Sequence, residues 1–268
     1  MIASNSRLSV FFILLFLVIY GNLATVEDIT KTSAAGRIVN GTHAKRGEIP
    51  YIVSIRRFNR HSCGGSILDA RHVLTAAHCV FDRAVEELQV QYGVLDIGDG
   101  DSNVINVTNT VTHSEYFQDY GNINDIAIIT LEEDIVFSDM AQPTVLPEAF
   151  APTPAGAHSI LAGWGLNGTG GARQQHLQRV DLVIYSDDDC EEAHPFRTFR
   201  EYHICSGVPE GGKGQCNGDS GGPLYAGGVQ VGIVSWSVKP CTIQGYPGVF
   251  VKVANYVPWI HNQISHIS

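Results

Sequence analysis

Three short segments carry residues able to do nucleophilic chemistry. Gly218-Asp219-Ser220-Gly221-Gly222-Pro223 sets a serine among glycines. Such a stretch can turn tightly and expose the hydroxyl. It also lets a substrate carbonyl approach backbone N–H groups, which would then serve as an oxyanion hole. Read alone, the hexapeptide is equally a glycine-rich turn with an inert serine. Leu74-Thr75-Ala76-Ala77-His78-Cys79 ends an apolar run on a histidine beside a cysteine, and a disulfide there would give the ring a rigid platform. Asn124-Asp125-Ile126-Ala127-Ile128-Ile129 places an aspartate at the start of another apolar run. A carboxylate buried there needs hydrogen bonds, and a histidine Nδ1–H is a suitable donor. Singly these signals are weak, since a lone histidine is more often structural and a strand-edge aspartate usually caps a turn. Together, in the chain order His78, Asp125, Ser220, they supply a base, its orienter and a nucleophile.

Those residues need a rigid frame, and the pattern around them is of short strands. Tyr51 to Ile55, Ser66 to Thr75, Leu88 to Tyr92, Ile126 to Leu131, His158 to Ala162 and Val229 to Trp236 are apolar and bounded by turn residues. Many short strands at this spacing predict an all-β barrel or sandwich. The tail alone reads as helix: Val253, Val257, Ile260 and Ile264 share one face, with Pro258 tolerated near the first turn. Pro143, Pro147, Pro152 and Pro154 mark a connection between two halves. The 268 residues allow one large domain or two small ones, and a composition 44% hydrophobic and 16% charged excludes wholesale disorder. A net charge of -10 lacks the basic footprint that phosphate backbones require, so nucleic acid is not an expected partner.

The ends and the cysteines place the chain in an oxidising compartment. Leu8 to Tyr20 is apolar, follows Arg7, and is too short for a membrane span of about 20 residues. It suits the core of a signal peptide ending near residue 24, with Gly21 and Ala24 as small residues near the cut. A membrane anchor is the competing reading. Residues 25–37 follow as a short polar stretch ending in Arg37, before Ile38-Val39-Asn40-Gly41. Six cysteines, Cys63, Cys79, Cys190, Cys205, Cys216 and Cys241, suggest three disulfides in an exported chain. Pairing neighbours in sequence is the simplest arrangement among many. The spacing offers no Cys-x-x-Cys or His-x-x-x-His metal signature. Asn40, Asn106 and Asn167 head glycosylation sequons.

The segments Arg37-Ile38-Val39-Asn40-Gly41, Cys63-Gly64-Gly65-Ser66-Ile67, Thr75-Ala76-Ala77-His78-Cys79, Asp125-Ile126-Ala127, Gly163-Trp164-Gly165, Gly218-Asp219-Ser220-Gly221-Gly222-Pro223, Ser235-Trp236 and Pro247-Gly248-Val249 closely resemble the chymotrypsin-like, trypsin-fold serine proteases. They run from residue 37 almost to the C-terminus. The resemblance implies two six-stranded antiparallel Greek-key β-barrels, about 38–142 and 143–268, a C-terminal α-helix, and an active site in the cleft between the barrels. It implies Ser220 as nucleophile, His78 as general base and then acid, and Asp125 as its orienter. The N–H groups of Gly218 and Ser220 would form the oxyanion hole. Ser235, Trp236 and Ser237 would pair with substrate backbone as an added strand. The pairing Cys63–Cys79, Cys190–Cys205 and Cys216–Cys241 is also implied. Cleavage after Arg37 would free an Ile38 amino group to join Asp219, so the chain is expected to be a secreted zymogen activated by a trypsin-like protease.

The resemblance puts Gly214 at the base of the specificity pocket, where a trypsin needs an aspartate. Gly248 lines another wall, and Asn217 lies at the rim. An uncharged pocket implies cleavage after Phe, Tyr or Leu. Ser237, where many relatives carry glycine, would narrow the mouth and favour an elastase-like preference for small or medium apolar residues. Neither cofactor nor metal is implied: Gly93-Val94-Leu95-Asp96 lacks the glutamate that opens the family's calcium loop, and Asp96, Asp99 and Asp101 read as a solvated turn. His113 reads as an ordinary loop histidine. Expected partners are protein or peptide substrates, an activating protease and protein inhibitors of proteases, met by a secreted monomer with no membrane contact. The competing expectation is a binding protein that kept the fold and lost catalysis.

Overall fold

The computed structural model describes residues 38–98, 100 and 102–267. The expected leader (1–24), the expected propeptide (25–37, with Arg37), Asp99 and Asp101 lie outside the described residues. Among the described residues no helix is long and apolar enough to cross a membrane.

The strands are β1 (Thr42–His43), β2 (Ile52–Arg57), β3 (Arg60–Ile67), β4 (His72–Thr75), β5 (Leu88–Tyr92), β6 (Val104–Thr112), β7 (Ala127–Leu131), β8 (His158–Gly163), β9 (Gln178–Ile184), β10 (His203–Gly207), β11 (Pro223–Ala226), β12 (Val229–Trp236) and β13 (Gly248–Lys252). The first barrel closes in the order β2-β3-β4-β7-β6-β5. The second runs β9-β10-β13-β12-β11-β8 and closes through β8–β9, with β1 added at β9. Every pairing is antiparallel, as hairpin-connected strands require. Closure leaves each barrel without a free edge.

The Ser66–Thr75 run, expected as one strand, is the end of β3 and all of β4. Asp69 breaks it, because its Oδ1 accepts the N–H groups of Arg71 at 2.8 Å and His72 at 2.9 Å. In β9, Val180, Leu182 and Ile184 turn inward while Asp181 and Val183 face outward, so the strand alternates cleanly. The tail forms a 3-10 turn, Val253–Tyr256, then an α-helix, Val257–Ile267, with Pro258 in the first turn. Val253 and Ile260 are fully buried against the first barrel's core, so the last segment straps the first barrel from its far end. Burying each such side chain stabilises by roughly 1.5–3 kcal/mol.

Close backbone contact joins the two barrels. The Gly64 N–H on β3 donates to the Ser220 carbonyl at 2.7 Å. A Cβ on Gly64 would lie 2.8 Å from Gly222 Cα, so a side chain there would push the barrels apart. This is the physical reason for glycine in Cys63-Gly64-Gly65.

Candidate active site

His78 stands on a single helical turn, Ala77–Val80, directly after β4. A disulfide from Cys79 to Cys63 pins that turn to β3. Asp125 precedes β7 and is fully buried. Its Oδ1 accepts the His78 backbone N–H at 2.8 Å, and its Oδ2 lies 2.8 Å from His78 Nδ1. An ionised carboxylate only accepts, so Nδ1 carries the proton and the neutral ring keeps a lone pair on Nε2. Ser235 Oγ, on β12, donates to the same Oδ2 at 2.6 Å. Three donors thus compensate the buried charge. Burial works to lower the His78 pKa, but the charge and hydrogen bond of Asp125 outweigh it and raise it above the ordinary value.

Ser220 sits in the loop before β11. Gly218 and Gly221 take φ of +98° and +76°, a region open to glycine. Around them the N–H groups of Cys216, Asp219, Gly221 and Gly222 all donate within the protein. Among the described residues the Gly218 and Ser220 N–H groups make no such bond, which leaves a pair of donors beside the Ser220 hydroxyl. The Gly218 carbonyl is held from behind by His61 Nε2 at 2.9 Å, and His61 Nδ1 lies 2.8 Å from Ser54 Oγ. Burial pushes the His61 pKa down to about 4, so the ring is neutral: Nε2–H donates to the carbonyl and Nδ1 accepts from Ser54. Neither Ser54 nor His61 stood out in the sequence. Inward positions, of Ser54 on β2 and His61 on β3, were the only signal, and apolar residues share them.

Ser220, Ser235 and Ser237 line a pocket of about 190 Å³ together with Asn217, Gln215 and Trp236. Gly214 and Gly248 surround a separate void of about 10 Å³. Gln215 and Ser237 line both: the Gln215 Nε2 donates to the Trp236 carbonyl at 2.6 Å, and its Cδ lies 2.9 Å from where a Gly248 Cβ would be. Gln215, a residue that sequence reasoning passed over, is thus a wall shared by the larger pocket and the void at Gly214. Trp236 is fixed by its Nε1–H donating to the Gly121 carbonyl at 2.8 Å and by the Arg197 guanidinium 4.4 Å from its ring.

Residues 38–260 match the family model described as Trypsin. The chain belongs to the trypsin family of serine proteases. It is 37% identical over 236 residues to Trypsin-1 of Astacus astacus, covering 83% of this chain and 98% of that protein. It is 37% identical over 231 residues to Trypsin II-P29 of Gallus gallus, covering 85% and 90%. Against Serine protease 1 of Rattus norvegicus it is 38% identical over 232 residues, covering 85% and 90%.

Other expected residues of this trypsin-family chain are placed as follows. Asp219 is fully buried, its Oδ1 accepting from Gly165 N and its Oδ2 from Cys216 N, each at 2.9 Å. Burial pushes its pKa up to about 6 despite those two bonds. A Cβ on Gly163 or Gly165 would stand 2.2 or 2.4 Å from its carboxylate oxygens, which explains both glycines of Gly163-Trp164-Gly165. Ile38 is buried in the second barrel's core, Val39 bridges to Gly214, and the Asn40 amide donates to the Gly212 carbonyl at 2.7 Å. The disulfides are Cys63–Cys79, Cys190–Cys205 and Cys216–Cys241. The sulfurs near His78 are therefore bonded to each other and offer no thiolate to a metal. Asp96 pairs with His176 Nδ1 at 2.9 Å. Asn106 bonds Glu132 and Asn167 accepts from Ala172 N, both at surface positions.

Proposed function

We propose that the chain is a secreted precursor with a signal peptide over 1–24, a propeptide over 25–37 and a serine endopeptidase over 38–268. The observation that carries this reading is the hydrogen-bonded line Ser235–Asp125–His78 beside a pocket that Ser220 itself lines. Ser220 Oγ attacks the scissile carbonyl as His78 Nε2 takes its proton. The N–H groups of Gly218 and Ser220 receive the oxyanion. His78 then gives the proton to the leaving amine, and an acyl-enzyme remains. Water, deprotonated by His78, releases the acid and restores the serine. Asp125 stays ionised and stabilises the imidazolium in each half.

In this reading, cutting after Arg37 frees an Ile38 ammonium that compensates Asp219, whose burial without a cation otherwise costs stability. The docking of residues 38–40 against 212–214 supports it. The named relatives include trypsins, yet among the described residues no carboxylate lines the 190 Å³ pocket to supply a basic P1 side chain with a counter-charge. The pocket is read as taking Phe, Tyr or Leu. The Gln215 side chain and the Ser237 hydroxymethyl group in the pocket wall favour, as the second reading, an elastase-like preference for shorter side chains.

The test is a P1 scan. The precursor is cut with trypsin, the trypsin is inactivated, and tetrapeptide amides with Phe, Leu, Ala or Arg at P1 are assayed. Fastest cleavage after Phe or Leu is expected, and fastest after Ala would transfer the assignment to the elastase-like reading. Dominant Arg cleavage would overturn the pocket reading, and no labelling of Ser220 by a fluorophosphonate would overturn the enzyme.

The pH profile has a defined sign. The base must be neutral, and the His78 pKa is raised, so kcat/KM should fall on acidification through an apparent pKa above the ordinary value of about 6.5. Stability runs the other way. A raised histidine pKa stabilises the fold below its unfolded value, and that contribution is lost as pH rises through the folded one. An acid limb below the ordinary histidine value would refute the Asp125 coupling.

A further inference from the structure

Among the described residues that line the 190 Å³ pocket, Lys239 is the one charged side chain. It lies at the outer edge, exposed on one side. Its Nζ donates to Ser237 Oγ at 3.3 Å and to Cys241 Sγ at 3.2 Å. Cys241 is bonded to Cys216, another lining residue, so the ammonium stands between the Ser237 wall and the disulfide wall. Both partners are neutral, and among the described residues no carboxylate lies within ion-pair distance of Nζ. The Asp219 carboxylate, though near enough to feel the charge, is turned into the N–H groups of Gly165 and Cys216.

The rest of the pocket favours the same sign of ligand. Ser237 brings a hydroxyl and Asn217 an amide, both able to donate to a carboxylate. Gly214 does not line the 190 Å³ pocket; Gln215 and Ser237, which it shares with the 10 Å³ void at Gly214, bound it on that side, with Lys239 among its other lining residues. The chain as a whole is acidic, with net charge -10, which makes this local cation a contrast within its own surface.

We infer that Lys239 is a specificity-determining residue that lets the pocket accept an acidic P1 side chain, glutamate foremost, in addition to uncharged ones. The carboxylate receives a charge-assisted hydrogen bond from Nζ and neutral ones from Ser237 and Asn217. The inference rests on the endopeptidase reading above.

The experiment compares activated wild type, Lys239→Ala and Lys239→Glu on tetrapeptide amides with Glu, Gln, Leu or Lys at P1. Fluorophosphonate titration counts the competent active sites in each preparation. Wild type should cleave after Glu faster than after the isosteric, neutral Gln. The Glu/Gln ratio of kcat/KM should fall by about tenfold in Lys239→Ala. Lys239→Glu should reverse the order and bring up cleavage after Lys. Glu/Gln ratios unaltered by both substitutions, or no cleavage after Glu by a wild-type enzyme that labels and cleaves after Leu, would overturn the role of Lys239 alone. Failure of wild type to label at Ser220 would instead overturn the endopeptidase reading on which it rests.

Discussion

Asp125→Asn should lower kcat by about ten-thousandfold, the size of loss that follows when the carboxylate of such a triad becomes an amide. The cause is the hydrogen-bond pattern. The carboxylate accepts from the His78 backbone N–H, from His78 Nδ1–H and from Ser235 Oγ–H. An amide offers one oxygen for three donors, and its NH2 must face at least one of them. The relief is for the ring to adopt the other tautomer, with the proton on Nε2, where it cannot accept from Ser220. The substitution also removes both influences that raise the His78 pKa, leaving burial, which lowers it. The acid limb of the residual activity should therefore move to lower pH. Leaving a buried donor unpaired costs about 1–3 kcal/mol, so thermal unfolding should shift downward without loss of the native spectrum. Steady-state kinetics across pH, with a melt on the same samples, checks all three effects. A folded variant with kcat within tenfold of wild type would refute the triad assignment.

Gly218→Ala should lower kcat by about 100- to 1,000-fold with a much smaller change in KM, the range expected when one oxyanion donor is lost. Gly218 takes φ of +98°, which an alanine adopts only with strain. The new Cβ would lie 3.1 Å from Gly165 Cα, backbone that cannot swing aside. The loop must shift, and its 217–218 peptide shifts with it, so the N–H no longer aims at the developing oxyanion. Transition-state binding should suffer while ground-state binding does not. The discriminating measurement is therefore affinity for a tetrahedral adduct former, such as a peptide boronate. That affinity should fall in step with kcat/KM across the substrate series. A change confined to KM, or an activity loss matched by the unlabelled fraction of enzyme, would sink the oxyanion-hole role.

The local signals in this chain were those that chemistry places in consecutive residues. Ser220 needs glycines at Gly218 and Gly221 because the loop requires positive φ there, and that requirement is written within four residues. Short apolar runs around Ile55, Val90, Ile128 and Val234 became barrel strands because each buries its run in a closed core. The tail helix followed from the spacing of Val253 and Ile260. By contrast, Asp69 hid a turn inside an apolar run, since one side chain accepting two N–H groups outweighed the β propensity around it.

What the sequence by itself determined, then, was the strand-rich class, the helical tail and the three chemical groups, because periodicity and turn chemistry act over a few residues. Tertiary structure decided what those groups face. The Ser235 hydroxyl reaches Asp125 across 110 positions, and His61 reaches the Gly218 carbonyl across 157. Gln215 lines the pocket where Gly248, distant in sequence, leaves room for its side chain. Lys239 stands over the same pocket because the Cys216–Cys241 disulfide brings its loop there. Such relations depend on closing two barrels and packing one against the other, and no spacing within a strand or turn encodes them.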